Sequence, residues 1–129
     1  GDVYKRQAYR WAVETTVYVR EDMKKMGTGR ELYAALEKIL SMQNILNLNA
    51  CIAYPCEAED PYLTRDSVQF HKRLGYQFAG KFHRCGYKFG RWYHMIWMEK
   101  FLGGHTENPP AVKSFDEVRS LIADKLGIW

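Results

Sequence analysis

Val17-Tyr18-Val19-Arg20-Glu21-Asp22-Met23-Lys24-Lys25-Met26-Gly27-Thr28-Gly29-Arg30 is the stretch whose reading decides the fold, because an alternating strand runs there into a glycine-bearing turn that opens a helix. Gly27 and Gly29 permit positive φ and a close approach of main chain to a ligand. Free N–H groups and partial positive charge gather at the start of the helix, so a diphosphate fits the turn. Lys24, Lys25 and Arg30 add charge-assisted contacts. The spacing is neither that of a dinucleotide-binding GxGxxG nor that of a GxxxxGK[ST] loop. Taken by itself, a GxG at a helix start reads equally well as a tight turn.

Working outward, residues 10–19 alternate Trp11, Val13, Thr15, Val17 and Val19 with the other face, a period of two that predicts a strand. Leu32, Leu36, Ile39 and Leu40 recur at helical spacing and predict a helix over 29–42. Residues 48–54 form a short apolar run ended by Pro55, a buried strand with an acidic exit loop over 56–61. A second helix is expected over 64–74, with Thr64 or Asp66 as N-cap and Gly75 as its stop. Residues 76–87 and 92–101 are aromatic-rich strands expected to pair as a hairpin through Lys88-Phe89-Gly90-Arg91. The stretch 103–114, with Gly103-Gly104 and Pro109-Pro110, reads as a linker to a short amphipathic helix carrying Phe115, Val118, Leu121, Ile122 and Leu126. The order of elements is that of an α/β (α+β) protein.

A chain of 129 residues with 47% hydrophobic content supports one domain with a real core. Lys and Arg outnumber Asp and Glu by 19 to 15, an excess spread along the chain that suits a small phosphate-bearing ligand and speaks against nucleic acid as partner. Cys51, Cys56 and Cys85 are odd in number and form no CxxC pair, so no disulfide framework and no metal site are expected. No apolar run reaches bilayer-spanning length, so no membrane partner is expected and a cytoplasmic location is the default. Residues 1–7, without an initiator Met or any structural period, read as a non-native leader.

The turn Lys24-Lys25-Met26-Gly27-Thr28-Gly29 resembles the R/Q-x-x-G-x-G/A signature of the GNAT acetyltransferase superfamily, with Lys24 in place of the usual Arg or Gln. Three further segments, in the same order, look like phosphinothricin N-acetyltransferases: 8–19 (Ala8-Tyr9-Arg10-Trp11 through Val13-Glu14-Thr15-Thr16-Val17-Tyr18-Val19), 67–76 (Ser67-Val68-Gln69-Phe70-His71-Lys72-Arg73-Leu74-Gly75-Tyr76) and 86–92 (Gly86-Tyr87-Lys88-Phe89-Gly90-Arg91-Trp92). The resemblance covers 8–102 and implies the C-terminal portion of a GNAT-type acyl-CoA N-acyltransferase fold, a mixed sheet with flanking helices. The domain is thus expected over 8–102, with its N-terminal strands and helices missing and a linker and C-terminal helix over 103–129.

The same resemblance implies acetyl-coenzyme A as co-substrate, a small amine acceptor of the phosphinothricin or methionine-sulfoximine kind, and a homodimer. Glu14 falls at the position of the family's catalytic carboxylate, where it draws a proton from the acceptor ammonium; read alone, it is a solvent-facing Glu on a half-exposed strand. His71, where phosphinothricin-type members carry a His, is the second catalytic candidate, as acid or base. The main chain of Val17, Tyr18 and Val19, the loop Lys24, Lys25, Met26, Gly27, Thr28, Gly29 and Arg30, and the side chains of Thr64 and Ser67 are the implied coenzyme contacts. Thr64 stands where the family usually has Asn. Arg10, Glu14, Thr15 and Thr16 are the implied acceptor contacts, Arg10 being suited to a carboxylate or phosphinate. His94 receives no role. Two other readings stay open: an acetyl-coenzyme A-binding or interaction module without catalysis, and a cysteine-dependent acyltransferase pairing Cys51 or Cys85 with a His.

Overall fold

Strand Asn47–Pro55 (β2) is where the sequence leaves no choice about burial: Leu48, Ala50 and Ile52 point one way, Cys51 and Ala53 the other, and all five are buried. A strand hidden on both faces must lie inside a sheet. In the computed structural model, which describes residues 8–17 and 28–126, β2 lies between Ala12–Val17 (β1) and Arg91–Phe101 (β4), and Gln77–Lys88 (β3) follows, giving the order β1-β2-β4-β3. Three helices complete the described chain: Thr28–Met42 (α1), Asp66–Arg73 (α2) and Phe115–Leu126 (α3). The mixed α/β architecture expected from the sequence is the one observed.

β3 and β4 pair antiparallel with Lys88 opposite Arg91, so Phe89 and Gly90 are the two loop residues. Both lie in the left-handed region, φ 56° and 71°, which matches the twist of a two-residue hairpin. Phe89 is the costly member of that pair, and its ring stacks on Tyr62 with centroids 4.7 Å apart. The register slips between Phe78 and Gly80 and again between Phe82 and Gly86, two bulges in one strand.

The helix ends follow from local chemistry. Gly75 takes φ 96° after α2, with Gly75 N–H donating to Lys72 O and Tyr76 N–H to His71 O, the paired bonds of a Schellman stop. α1 ends the same way on Asn44, φ 66°, where Ile45 N–H donates to Leu40 O at 3.0 Å. The expected side-chain N-cap of α2 is absent: Arg65 holds the cap position without a side-chain bond, and the Thr64 hydroxyl accepts the Asp66 N–H at 3.0 Å. At α3, Ser114 and Glu117 exchange bonds, Ser114 N–H to Glu117 Oε2 at 2.7 Å and Glu117 N–H to Ser114 Oγ at 3.3 Å, a capping box.

The chain divides into two compact units. In the first, which includes α1, 43–48 and 101–126, the segment 103–114 is neither helix nor strand yet is fastened along its length. Trp11 Nε1–H donates to Pro110 O at 2.8 Å, Asn44 Nδ2 to Ala111 O at 2.9 Å, and Lys113 N–H to Gln43 O at 2.9 Å. His105 Nε2 lies 2.7 Å from Asn47 Oδ1.

In the second unit, residues 14–17 and 49–100 among those described, the exit loop of β2 is organised by Asp60, whose side chain is 3% exposed. Its Oδ1 accepts N–H groups from Tyr62 at 2.8 Å and Leu63 at 3.0 Å, while Arg91 stands 3.7 Å from Oδ2 and grips Glu57 at 2.9 Å. Burial alone would raise the Asp60 pKa, but the Leu63 and Tyr62 N–H groups, Tyr93 and Arg91 outweigh it and hold the carboxyl below its ordinary value. The hydroxyl of buried Tyr93 neighbours this carboxylate, and burial followed by Asp60 pushes its pKa up to about 12.

Asp60→Ala is expected to cost about 2 kcal/mol at pH 7, since it strands two backbone donors and a phenol. Because the folded pKa is depressed, this contribution is complete above about pH 4 and fades as acid protonates the folded carboxylate. Urea denaturation of both proteins across pH 3 to 7 checks this: equal midpoints at pH 7 would show that Asp60 fastens nothing.

Candidate functional site

Glu14 sits near the middle of β1 with its side chain exposed, and Thr15, on the opposite face, is half-buried with its hydroxyl 3.5 Å from Asn49 O. That distance is at the limit of a hydrogen bond, so it steadies β1 against β2 only weakly. Thr16 and Val17 complete the strand. Arg10 is exposed and lays its guanidinium over the Trp11 ring, 4.7 Å from the centroid. Tyr18, Val19, Lys24, Lys25, Met26 and Gly27 lie outside the described residues. Thr28, Gly29 and Arg30 form the first turn of the fifteen-residue α1, the turn whose N–H groups have no intrahelical acceptor.

The other candidates share α2 and its approach. Thr64, Ser67 and His71 are 6%, 3% and 0% exposed, so all three belong to the interior rather than to a solvated helix face. His71 Nδ1 lies 2.7 Å from the Ser67 carbonyl, and a carbonyl can only accept, so Nδ1 carries the proton and the lone pair of the neutral ring is on Nε2. The Ser67 hydroxyl stands 3.5 Å from the same nitrogen. Tyr76 meets the imidazole edge-on at 5.1 Å. Burial lowers the His71 pKa and the Ser67 bond raises it, with burial the stronger, so the ring is neutral at physiological pH.

Glu14, Thr15, Thr64, Ser67 and His71 thus fall in one unit, whereas Arg10, Thr28, Gly29 and Arg30 fall in the other. The unit that holds Glu14 also holds Cys51, a candidate of the cysteine-dependent reading. Cys51 is buried in β2, and its thiol is pushed up by burial, then by the Glu14 carboxylate, then by Cys85. A raised thiol is the reverse of an activated nucleophile, which removes the basis for a cysteine mechanism at Cys51. Cys85 lies in the β3 bulge that also contains His83 and Arg84, opposite His94. Gly80 and Gly86 within a strand were the available signal for those bulges. Among the described residues, no three His, Cys, Asp or Glu side chains gather as a metal site, and no helix is long and apolar enough to cross a membrane.

Comparison with known proteins places these features in a family. The acetyltransferase (GNAT) domain profile matches residues 1–97. The phosphinothricin N-acetyltransferase of Streptomyces viridochromogenes is 37% identical over 97 residues, covering 74% of this chain and 49% of that protein. The L-methionine sulfoximine/L-methionine sulfone acetyltransferase of Pseudomonas paraeruginosa is 32% identical over 99 residues, covering 77% of this chain and 53% of that one. Among solved structures, yncA of Salmonella typhimurium with its cofactor acetyl-CoA superposes with a TM-score of 0.62 at 28% identity, over 81% of this chain and 55% of the other. The chain spans about half the length of the curated relatives it matches. By profile, relatives and fold together, it belongs to the GNAT acetyltransferase domain family.

Proposed function

We propose that this chain forms the coenzyme-binding and catalytic part of a cytoplasmic, homodimeric N-acetyltransferase that moves an acetyl group from acetyl-coenzyme A to the amine of a small, amino-acid-like acceptor. The observation that carries the reading is Glu14, a solvent-facing carboxylate on β1 of a chain matched throughout this region to acetyltransferase domains. The names of the relatives, one acting on phosphinothricin and one on methionine sulfoximine or sulfone, support an amino-acid-like acceptor.

The residues present fit the coenzyme. The first turn of α1 has N–H groups without an intrahelical acceptor, a glycine without a Cβ and the Arg30 guanidinium, a donor set suited to a diphosphate. Lys24, Lys25, Met26 and Gly27 would complete that cradle, the main chain of Val17, Tyr18 and Val19 would hold the pantetheine arm, and Thr64 and Ser67 would add hydroxyl contacts. Acetyl-coenzyme A supplies the activated acetyl thioester. Glu14 would take one proton from the acceptor ammonium, directly or through water, which frees the nitrogen lone pair for acylation; the second proton that the nitrogen sheds would go to the departing thiolate, so that the coenzyme leaves as its thiol. Arg10, Thr15 and Thr16 orient the acceptor. His71, neutral with its lone pair on Nε2, serves as an acceptor of hydrogen bonds or protons at that atom. The second reading is a coenzyme-binding module without turnover, which the diphosphate-suited first turn of α1 would serve with no role for Glu14.

Glu14→Gln keeps the shape and removes the base, so kcat is expected to fall by about 10²- to 10⁴-fold while KM for acetyl-coenzyme A stays within about threefold. Thiol release with L-methionine sulfone as acceptor measures both, and unchanged turnover would remove Glu14 from the mechanism. Binding of acetyl-coenzyme A without thiol release across a panel of amines would favour the second reading.

The depressed His71 pKa gives a separate expectation. The unfolded chain takes up a proton near pH 6.5 and the folded one resists it, so stability falls as pH drops below about 6.5. Thermal melts of wild type and His71→Asn between pH 5 and 8 check the sign: the slope should be flatter in the variant, and parallel curves would contradict a neutral buried imidazole.

A further inference from the structure

The segment 103–114 has no regular structure, yet it closes a cavity of about 230 Å³ against the entry to β1 and the start of β2. Every residue lining that cavity falls in the first compact unit, so its walls are built within one body. Main-chain bonds fix them: Leu46 N–H and Asn47 N–H both donate to Trp11 O, at 2.8 Å and 3.1 Å, and Leu102 N–H donates to Leu46 O at 2.7 Å. Gly103 permits the close approach, since a Cβ there would press on Leu46 Cδ2 at 3.0 Å. The Trp11 indole is tied in turn by its Nε1–H bond to Pro110 O.

Tyr9, Trp11, Leu46 and Pro109 give the cavity apolar, largely aromatic walls, and Asn47, His105 and Thr106 give it polar atoms. His105 Nε2 lies 2.7 Å from Asn47 Oδ1. A carboxamide oxygen only accepts, so Nε2 carries the proton and the lone pair of the neutral ring is on Nδ1. The Phe101 ring meets this imidazole edge-on at 4.8 Å and steadies its plane. Among the described residues neither His105 Nδ1 nor the Asn47 Nδ2 amide protons have a hydrogen-bond partner. An acceptor and a donor are thus left on two side chains that are bonded to each other, the complement of a ligand edge that carries a donor beside an acceptor. No Lys, Arg, Asp or Glu lines the cavity, so nothing in its lining would neutralise a charged ligand. The volume falls below the roughly 300–1,000 Å³ of pockets that hold drug-sized molecules, which leaves room for one small ring system.

We infer that this cavity binds a small, neutral, planar heteroaromatic ring with a carboxamide- or amidine-like edge, the ring against Tyr9 and Trp11 and the edge on His105 and Asn47. Aromatic walls favour a flat ring, which packs on them by stacking or edge-on contact. The paired donor and acceptor favour an edge of matching pattern over a plain hydrocarbon, because a buried amide or imidazole nitrogen left without a partner costs free energy. A pyridine carboxamide and a free nucleobase both have this chemistry. The site stands apart from the diphosphate-suited turn: Thr28 and Met42 are about 21 Å apart along α1 at 1.5 Å per residue, and Leu46 follows beyond the C-terminal end of that helix. The inference therefore goes beyond acetyl transfer and depends neither on Glu14 nor on the coenzyme.

Two-dimensional NMR of the full chain, titrated with nicotinamide and separately with adenine, tests it at the Trp11 indole N–H and the His105 ring. Saturable shifts at both are expected with at least one probe, at a Kd of about 1 mM for so few atoms, and the tighter probe identifies the ligand class. Nicotinate, the same pyridine with a charged edge, is expected to bind about tenfold more weakly than nicotinamide. His105→Ala removes the acceptor and Tyr9→Ala removes a wall at a side chain 73% exposed, so each should weaken binding by about five- to tenfold in a chain whose spectrum stays folded. No saturable Trp11 shift with either probe, nicotinate bound as tightly as nicotinamide, or unchanged affinity in both variants would overturn the site. Shifts centred on the Gly29 and Arg30 amides and abolished by coenzyme A would overturn it too, by placing the ring at the coenzyme turn. The expected Trp11 and His105 shifts in a chain that acetylates no amine would uphold the site while counting against the acetyltransferase reading.

Discussion

The double-sided burial of β2 is the constraint from which the rest of the sheet follows. Leu48 and Ile52 are fully buried, as is Ala50, and the alternate positions Cys51 and Ala53 have no open face either. A strand in that state cannot be an edge, so β1 and β4 must flank it. Burying three or four such side chains stabilises the fold by roughly 1.5–3 kcal/mol each for the larger ones, more than any single surface contact on the molecule. The flanking strands also carry polar groups at the margins of that core. β1 brings Glu14 beside a buried strand while leaving its carboxylate in solvent, and β4 brings His94 opposite the β3 bulge.

Much of this architecture was legible because the signals are periodic or punctual. Alternation marked β1, whose expected end at Val19 lies outside the described residues, while the apolar run marked β2 and the 3.6-residue recurrence marked α1, each within one residue of its observed bounds. Gly75 announced the end of α2, and it ends the helix in the expected way. Less was legible where a residue acts against its type. Asn44 and Phe89 adopt positive φ that composition alone does not demand, and Thr64 serves the start of α2 from outside the cap position. Amphipathic spacing also says which face is apolar but not what covers it: Leu40 is buried, while Leu32, on the same stripe, is 69% exposed.

The candidate site was legible in part for the same reason. Glu14 and His71 stand out by registration against a family pattern, yet nothing in the residue pattern marks His71 as wholly buried, since one helix turn of Ser67 to His71 reads the same on an exposed face. The bulge in β3 had a visible mark in Gly80 and Gly86, but a glycine in a strand says that the pairing breaks, not which neighbour profits. Only the backbone path shows that Arg84 is the residue turned and that His94 is the group that holds it.

The two imidazoles show how far side-chain identity underdetermines chemistry. His71 donates from Nδ1 to a carbonyl, and His94 accepts at Nδ1 from a backbone N–H, so the remaining nitrogen is a lone pair in one ring and a donor in the other. Both are held neutral, His71 by burial against a Ser67 bond that opposes it, His94 by burial reinforced by surrounding cations. One ring is thereby set to receive a proton or a hydrogen bond and the other to give a hydrogen bond. The choice lies with main-chain atoms of residues 67 and 84, set by a helix turn in the first case and by a strand irregularity in the second. A substitution that preserved both histidines but straightened the bulge would leave His71 as it is and would deprive His94 of the partner that fixes its tautomer.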